Sequence, residues 1–283
     1  MLKRLTVIAA PAALAAAAVL VAAPAHATAG VNDPSCRPTT VHPYPVVFLH
    51  GLGANMNEDI NVLQSDVAGK GYCTFALTYG TYQYGPYVGG MADVTQSAQQ
   101  IAGFISAVLG ETGASKVDIV GHSEGGFESL YTTKTQGIAT KVDKVVAIAA
   151  PAHGTQFLGL QSLALALGIQ SYSNSIIAAG GCPACTQLSD GGSAVATLDN
   201  GPIAQPGVSY TMITSRYDEL VTPTGTSFVN EPGVTNEYVQ DLCPSDPVGH
   251  IGEAYDTNVW NMVENALDPA HAVTFTCSAG SPG

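Results

Sequence analysis

Three residue types are needed to make a serine hydroxyl attack an acyl carbon: the serine, a histidine to take its proton, and a carboxylate to orient the histidine. The stretch "VDIVGHSEGG" supplies the first. Ser123 lies between Gly121 and Gly125, in a Gly-x-Ser-x-Gly spacing that follows an apolar, β-branched run and precedes a helical pattern. In such a strand-to-helix turn the serine takes a strained backbone conformation, and flanking glycines let neighbouring chain approach closely. Chain order then places the acid and the base after the serine. Of seven histidines, only His250 and His271 follow the next strong strand pattern. His250, in "CPSDPVGHIGEAYD", sits in a loop before the terminal helix and can reach the sheet edge. His271 precedes the tail run "AVTFTC", read as a strand closed by Cys277, and is the rival. Asp218 ends the run "VSYTMITSRYD" and is the expected acid. Asp190 and Asp199 lie in an insertion, while Asp241 and Asp246 are close to His250 in sequence.

Acyl transfer also needs donors for the developing oxyanion. The backbone N–H of Glu124 is one, and the N–H of Leu52, in the "HGLG" loop after the first core strand, is the other. His50 and His122 are expected to brace those two loops. Glu124 is expected to matter through its N–H, with its carboxylate either favoured at a helix start or stabilising the charged form of His250.

The elements that must position these groups alternate. "PYPVVFLHG", "CTFALTYG", "KVDIVGHS" and "VDKVVAIAAP" read as buried strands. Between them "NEDINVLQSDVAGKG", with Asn57 as a candidate cap and Gly71 as a stop, "ADVTQSAQQIAGFISAVLGETG" and "EGGFESLYTTKTQ" read as helices. This order predicts an α/β fold, with a mostly parallel central sheet and helices on both faces. From about 154 to 207 the rhythm breaks into an insertion with one apolar helical stretch, Phe157 to Tyr172, expected either as a wall or cover of the acyl pocket or as an ordinary core helix. The strand pattern resumes at "VSYTMITSRYDELVTP", then "NEYVQDLC", followed by the helix "EAYDTNVWNMVENAL". A single domain over 28–283 is expected.

The chain opens with Lys3 and Arg4, an Ala-rich apolar run, and Ala25-His26-Ala27. That predicts a secretory signal peptide over 1–27, the alternative being a retained anchor, and a secreted, extracellular product. Loss of Lys3 and Arg4 leaves 7 basic against 22 acidic residues and takes the net charge from −13 to −15. Such a surface disfavours nucleic acid as a partner. A monomer without a transmembrane anchor is expected. Six cysteines in an exported chain predict disulfides, placed by position as Cys36–Cys73, Cys182–Cys185 and Cys243–Cys277. A redox dithiol at "CPAC" is the alternative for the second pair. No second Cys-x-x-Cys and no paired histidines are present for a zinc site, and no metal or cofactor is expected.

"VVFLHGLG", "TYG", "GHSEGG", "YDELVTP" and the late loop histidine together resemble the secreted bacterial lipases of the α/β-hydrolase superfamily, class 2 lipase type, over about Pro43 to Leu267. The resemblance implies the α/β-hydrolase fold and hydrolysis of triacylglycerol or related carboxylic esters, with Ser123, Asp218 and His250 as triad. It also implies that the loop "TYQYGPYVGGM" borders the cleft. Where that family often has Gln or Met after the serine, this chain has Glu124, and no calcium ligands of the kind some relatives carry are recognisable. A short-chain or polyester esterase or an acyltransferase would share every motif. A catalytically inactive binding module is the alternative from another class.

Overall fold

The computed structural model describes residues 30–156 and 181–280. The segment 1–27 expected as a signal peptide and the apolar stretch Phe157 to Tyr172 lie outside the described residues. The strands are β1 (Val46–Leu49), β2 (Thr74–Ala76), β3 (Val117–His122), β4 (Val142–Ile148), β5 (Ser209–Thr214) and β6 (Val234–Tyr238). They form one sheet in the order β2-β1-β3-β4-β5-β6, every neighbouring pair parallel. Helices α1 (Asn61–Gly69), α2 (Val94–Thr112) and α3 (Glu124–Thr135) follow β1, β2 and β3. Short helices α4 (Pro183–Gln187), α5 (Ser193–Leu198) and α6 (Val239–Leu242) come next, and α7 (Thr257–Leu267) closes the order.

The strands read as unbroken apolar runs because both faces of the sheet are covered. Alternate residues serve opposite layers. Val47, Leu49, Ile119, Val145 and Ala147 pack with Ile101, Ile105, Phe127 and Leu130 of α2 and α3, whereas Val46, Phe48, Val120, Val146 and Ile148 pack with Leu63 and Val67 of α1 and Val259 and Val263 of α7. Parallel pairing brings all carboxyl ends to one edge. In the register Leu49 is opposite Gly121, and His122 is opposite Ile148. The loop after β1 and the turn after β3 are therefore neighbours before any side chain is considered.

Three local expectations fail. Asn57 does not cap α1; the helix starts after Ile60, and 55–59 form a turn in which Asn55 Oδ1 accepts the Asn57 N–H. "NEYVQDLC" is half strand, since β6 ends at Tyr238 and the chain winds into α6. "AVTFTC" joins no ladder. That tail runs exposed along α7, held by the Asn265–Val273 contacts and by the Cys243–Cys277 disulfide. The other two disulfides join Cys36 to Cys73 and Cys182 to Cys185, and no cysteine among the described residues is free.

Candidate active site

At the turn between β3 and α3, Ser123 has φ +55° and ψ −122°, a conformation a non-glycine residue holds only where its surroundings enforce it. The glycines are what make the turn fit. A Cβ at Gly121 would stand 2.2 Å from the carbonyl oxygen of Gly125, and one at Gly125 would stand 2.2 Å from that of Leu49. The Ser123 N–H is held by the carbonyl of Ile148 at 2.8 Å.

The structure brings Ser123, His250 and Asp218 into one hydrogen-bonded row. His250 Nε2 lies 2.8 Å from Ser123 Oγ, and His250 Nδ1 lies 2.9 Å from Asp218 Oδ2. All three are buried. Asp218 keeps its place because its other oxygen accepts the N–H groups of Leu220 and Val221 at 2.8 and 2.9 Å, an Asx turn in the loop that follows β5 (Ser209–Thr214). With the carboxylate on Nδ1, that nitrogen carries the proton and Nε2 accepts from the serine. The rivals are elsewhere: His271 is exposed beside Asp268, Asp199 pairs with His153, and Asp241 pairs with Arg216.

Ser123 and His250 open onto a cleft of about 250 Å³, lined also by Gly51, Leu52, Ala54, Ile251 and Tyr255. Leu52 thus faces the same space as the serine, and Glu124 starts α3, where first-turn N–H groups lack intrahelical partners. Gly89 N–H donates to Ala54 O and Gly53 N–H donates to Gly89 O, so the 81–91 loop packs on 51–54, residues that line the cleft. Among the described residues no group of three or more His, Cys, Asp or Glu side chains is placed to hold a metal ion.

These features coincide with a family match. Residues 43–261 match the family described as Lipase (class 2). The chain belongs to the class 2 lipase family. Among curated proteins, the triacylglycerol lipase of Pseudarthrobacter phenanthrenivorans is 29% identical over 142 residues, 48% of this chain and 42% of that protein. The chain therefore spans less than half the length of that relative. Among solved structures, Aspergillus fumigatus lipase B superposes with a TM-score of 0.60 at 18% identity, covering 83% of this chain and 57% of that one. Mature Bacillus licheniformis lipase BlEst2 gives a TM-score of 0.56 at 17% identity, covering 86% and 97%. At these identities the likeness is one of fold, and the fold is that of the α/β-hydrolases.

The two histidines read as braces differ in what they face. His50 stacks on Tyr79 with ring centroids 4.4 Å apart; its Nδ1 lies 2.8 Å from Gly51 O and its Nε2 accepts from the Tyr79 N–H at 3.4 Å. Burial lowers its pKa, and one ring proton suffices for both contacts. His122 instead lies between the carboxylate of Asp59 and the backbone oxygen of His250. Asp59 was not legible as a site residue, because "NEDI" reads as helix start and its partner is far along the chain.

Glu124 also departs from expectation. Its side chain is buried, with Oε2 against Gly90, where a Cβ would stand 2.0 Å away, and near Leu52. Neither oxygen has a hydrogen-bond partner among the described residues. Burial pushes its pKa well above the ordinary carboxyl value. Burial thus disfavours the charged form on which both expected roles of this carboxyl depend.

Proposed function

We propose that this chain hydrolyses carboxylic esters, triacylglycerol-type lipids foremost, through an acyl-enzyme on Ser123. The observation that carries the reading is the row Ser123–His250–Asp218 at 2.8 and 2.9 Å, opening onto a cleft at the carboxyl edge of the sheet. His250 takes the serine proton as Oγ attacks the acyl carbon, and Asp218 steadies the imidazolium that forms. The N–H groups of Leu52 and Glu124 receive the oxyanion. His250 then gives the proton to the leaving alcohol oxygen. In the second half it activates water, which releases the acid and frees Ser123. The N-terminal sequence and the three disulfides support export as the setting in which this happens.

The test is a chain-length series of p-nitrophenyl esters together with emulsified triglyceride, run on the wild type and on Ser123→Ala. Ester and triglyceride turnover that vanishes in the variant is the expected result. No turnover by the wild type, or full turnover by Ser123→Ala, rejects the reading. Turnover of short esters without triglyceride would move the substrate class to a short-chain esterase.

A further inference from the structure

The ring of His122 has an oxygen close to each nitrogen. Nδ1 lies 2.8 Å from Asp59 Oδ1 in an ion-pair contact too poorly aligned to count as a hydrogen bond, and Nε2 lies 2.9 Å from the backbone carbonyl oxygen of His250, within hydrogen-bond geometry. A neutral imidazole carries one N–H and would turn a lone pair toward the other oxygen. Both contacts are favourable together only when both nitrogens carry protons. His122 is 1% exposed and Asp59 8%, so this charge has little water to solvate it, and the Asp59 carboxylate is the group that balances it. Asp59 has further ties. Its Oδ2 accepts the Gly51 N–H at 2.7 Å, and its own N–H donates to the Tyr255 hydroxyl at 2.9 Å.

We propose that His122 and Asp59 form a permanently charged positioning dyad, separate from the His250–Asp218 pair, that locks the loop carrying Leu52, the Ser123 turn and the loop carrying His250 into one register. This rests on reading Ser123 as the centre of an ester hydrolase. The three segments leave the sheet from different strands, and each is grasped at the backbone or one residue from the reacting group. Gly51 N–H fixes the residue before Leu52, His122 itself precedes Ser123, and the His250 carbonyl fixes the base. Displacing a reacting group by about 1 Å can cost on the order of 100-fold in rate, so such ties bear on chemistry as well as stability.

The surroundings agree with a charged ring. Burial opposes it, but the Asp59 carboxylate, the contact to the His250 carbonyl and the more distant Asp218 carboxylate together raise the His122 pKa. Asp59 moves the opposite way, because the ring and the Gly51 N–H outweigh its own burial. Among the described residues, His250 stands against the ring with centroids 5.0 Å apart, and His50 and Tyr255 face Asp59 from the loop after β1 and the segment before α7. The His250 ring has its own carboxylate, Asp218, to balance the proton it gains during turnover.

Nitrogen-15 NMR of the full-length, histidine-labelled wild type reads the charge directly. Both His122 ring nitrogens are expected to carry protons at pH 7 and to keep them as pH rises past the ordinary histidine range. A neutral His122 tautomer at pH 7 overturns the proposal. Kinetics read the positioning. Asp59→Asn and His122→Gln, each verified as folded by its melting curve, are expected to lower kcat on p-nitrophenyl butyrate by about 10- to 100-fold with KM nearly unchanged. Because the two act as one unit, the double variant should lose no more than the worse single one. Undiminished kcat in folded single variants, or multiplying losses in the double, overturns the dyad. If the wild type cleaves no ester at all, the reading of Ser123 fails, while the NMR measurement still decides the charge of His122.

Discussion

Ser123 stands between two regions that treat buried carboxyl groups in opposite ways. Asp218, in the loop after β5, and Asp59, in the loop after β1, each face an imidazole and accept backbone N–H groups. On the side of α3, Glu124 and Glu128 are as deeply buried, yet three of their four oxygens meet no donor among the described residues. A buried charge persists only where a counter-charge and hydrogen bonds replace its lost water. Asp218 and Asp59 therefore have partners that suit a carboxylate, whereas burial without donors disfavours the charged form of Glu124 and Glu128, and also of Glu253, whose Oε2 has no partner among the described residues. Burial drives Glu124 and Glu128 well above the ordinary carboxyl pKa, and Glu124 adds to the effect on Glu128.

The sharpest way to break the contrast is to remove what the partnered carboxylates serve. Ser123→Ala should lower kcat on p-nitrophenyl esters by on the order of 10^6 while leaving the melting temperature close to that of the wild type. A folded variant that still turns over would place the nucleophile elsewhere. His250→Ala should be nearly as damaging, whereas His271→Ala, at an exposed site paired only with Asp268, should change nothing measurable. Asp218→Asn keeps the shape but offers Nδ1 no anion, so the wrong tautomer is populated and a loss of about 10^4 in kcat is expected. If Asp218→Asn costs less than Asp59→Asn, the roles of the two pairs are exchanged.

Much of what surrounds the partnered carboxylates was legible in the sequence, and the reason is topological. Ser123, Asp218 and the "HGLG" loop each sit where a strongly apolar run ends, and in a parallel sheet those ends share an edge. Asp59 had no such marker. It lies in a left-handed turn, φ +64°, that interrupts what reads as the first turn of α1, and its partner is brought close only by the pairing of β1 with β3. The poorly partnered carboxyls were hidden differently. Glu124 and Glu128 have the composition of a solvated helix face, but α3 crosses against β1, β3 and β4, and its whole length from Glu124 to Thr133 is buried. The tail "AVTFTC" misled by its alternation, which here belongs to a segment outside the sheet, tethered through Cys277.

The smallest expected change in rate, and the one that most sharpens the comparison, is Glu124→Gln. Gln has the same shape, which the close approach of Gly90 requires, and it keeps the backbone N–H. kcat/KM should therefore stay at the wild-type level at pH 7. Stability should not. A carboxyl whose folded pKa lies well above its unfolded value of about 4.5 keeps its proton in the folded chain after the unfolded chain has released it. Across that window the folded state binds more protons, so wild-type stability falls as pH rises, until the folded group itself ionises. Gln never ionises in either state and removes this slope. The melting temperature of Glu124→Gln should thus match the wild type near pH 4 and exceed it by a margin that widens toward pH 8. Glu128→Gln should behave in the same direction, since Glu128 is buried beside it with one oxygen only weakly held, at 3.4 Å from the Thr132 hydroxyl. The two substitutions share an environment, so their gains should not add in full. A Glu124→Gln variant that is destabilised more at pH 8 than at pH 4 would mean that the carboxylate is ionised and partnered, and the contrast of Glu124 with Asp218 and Asp59 would be lost.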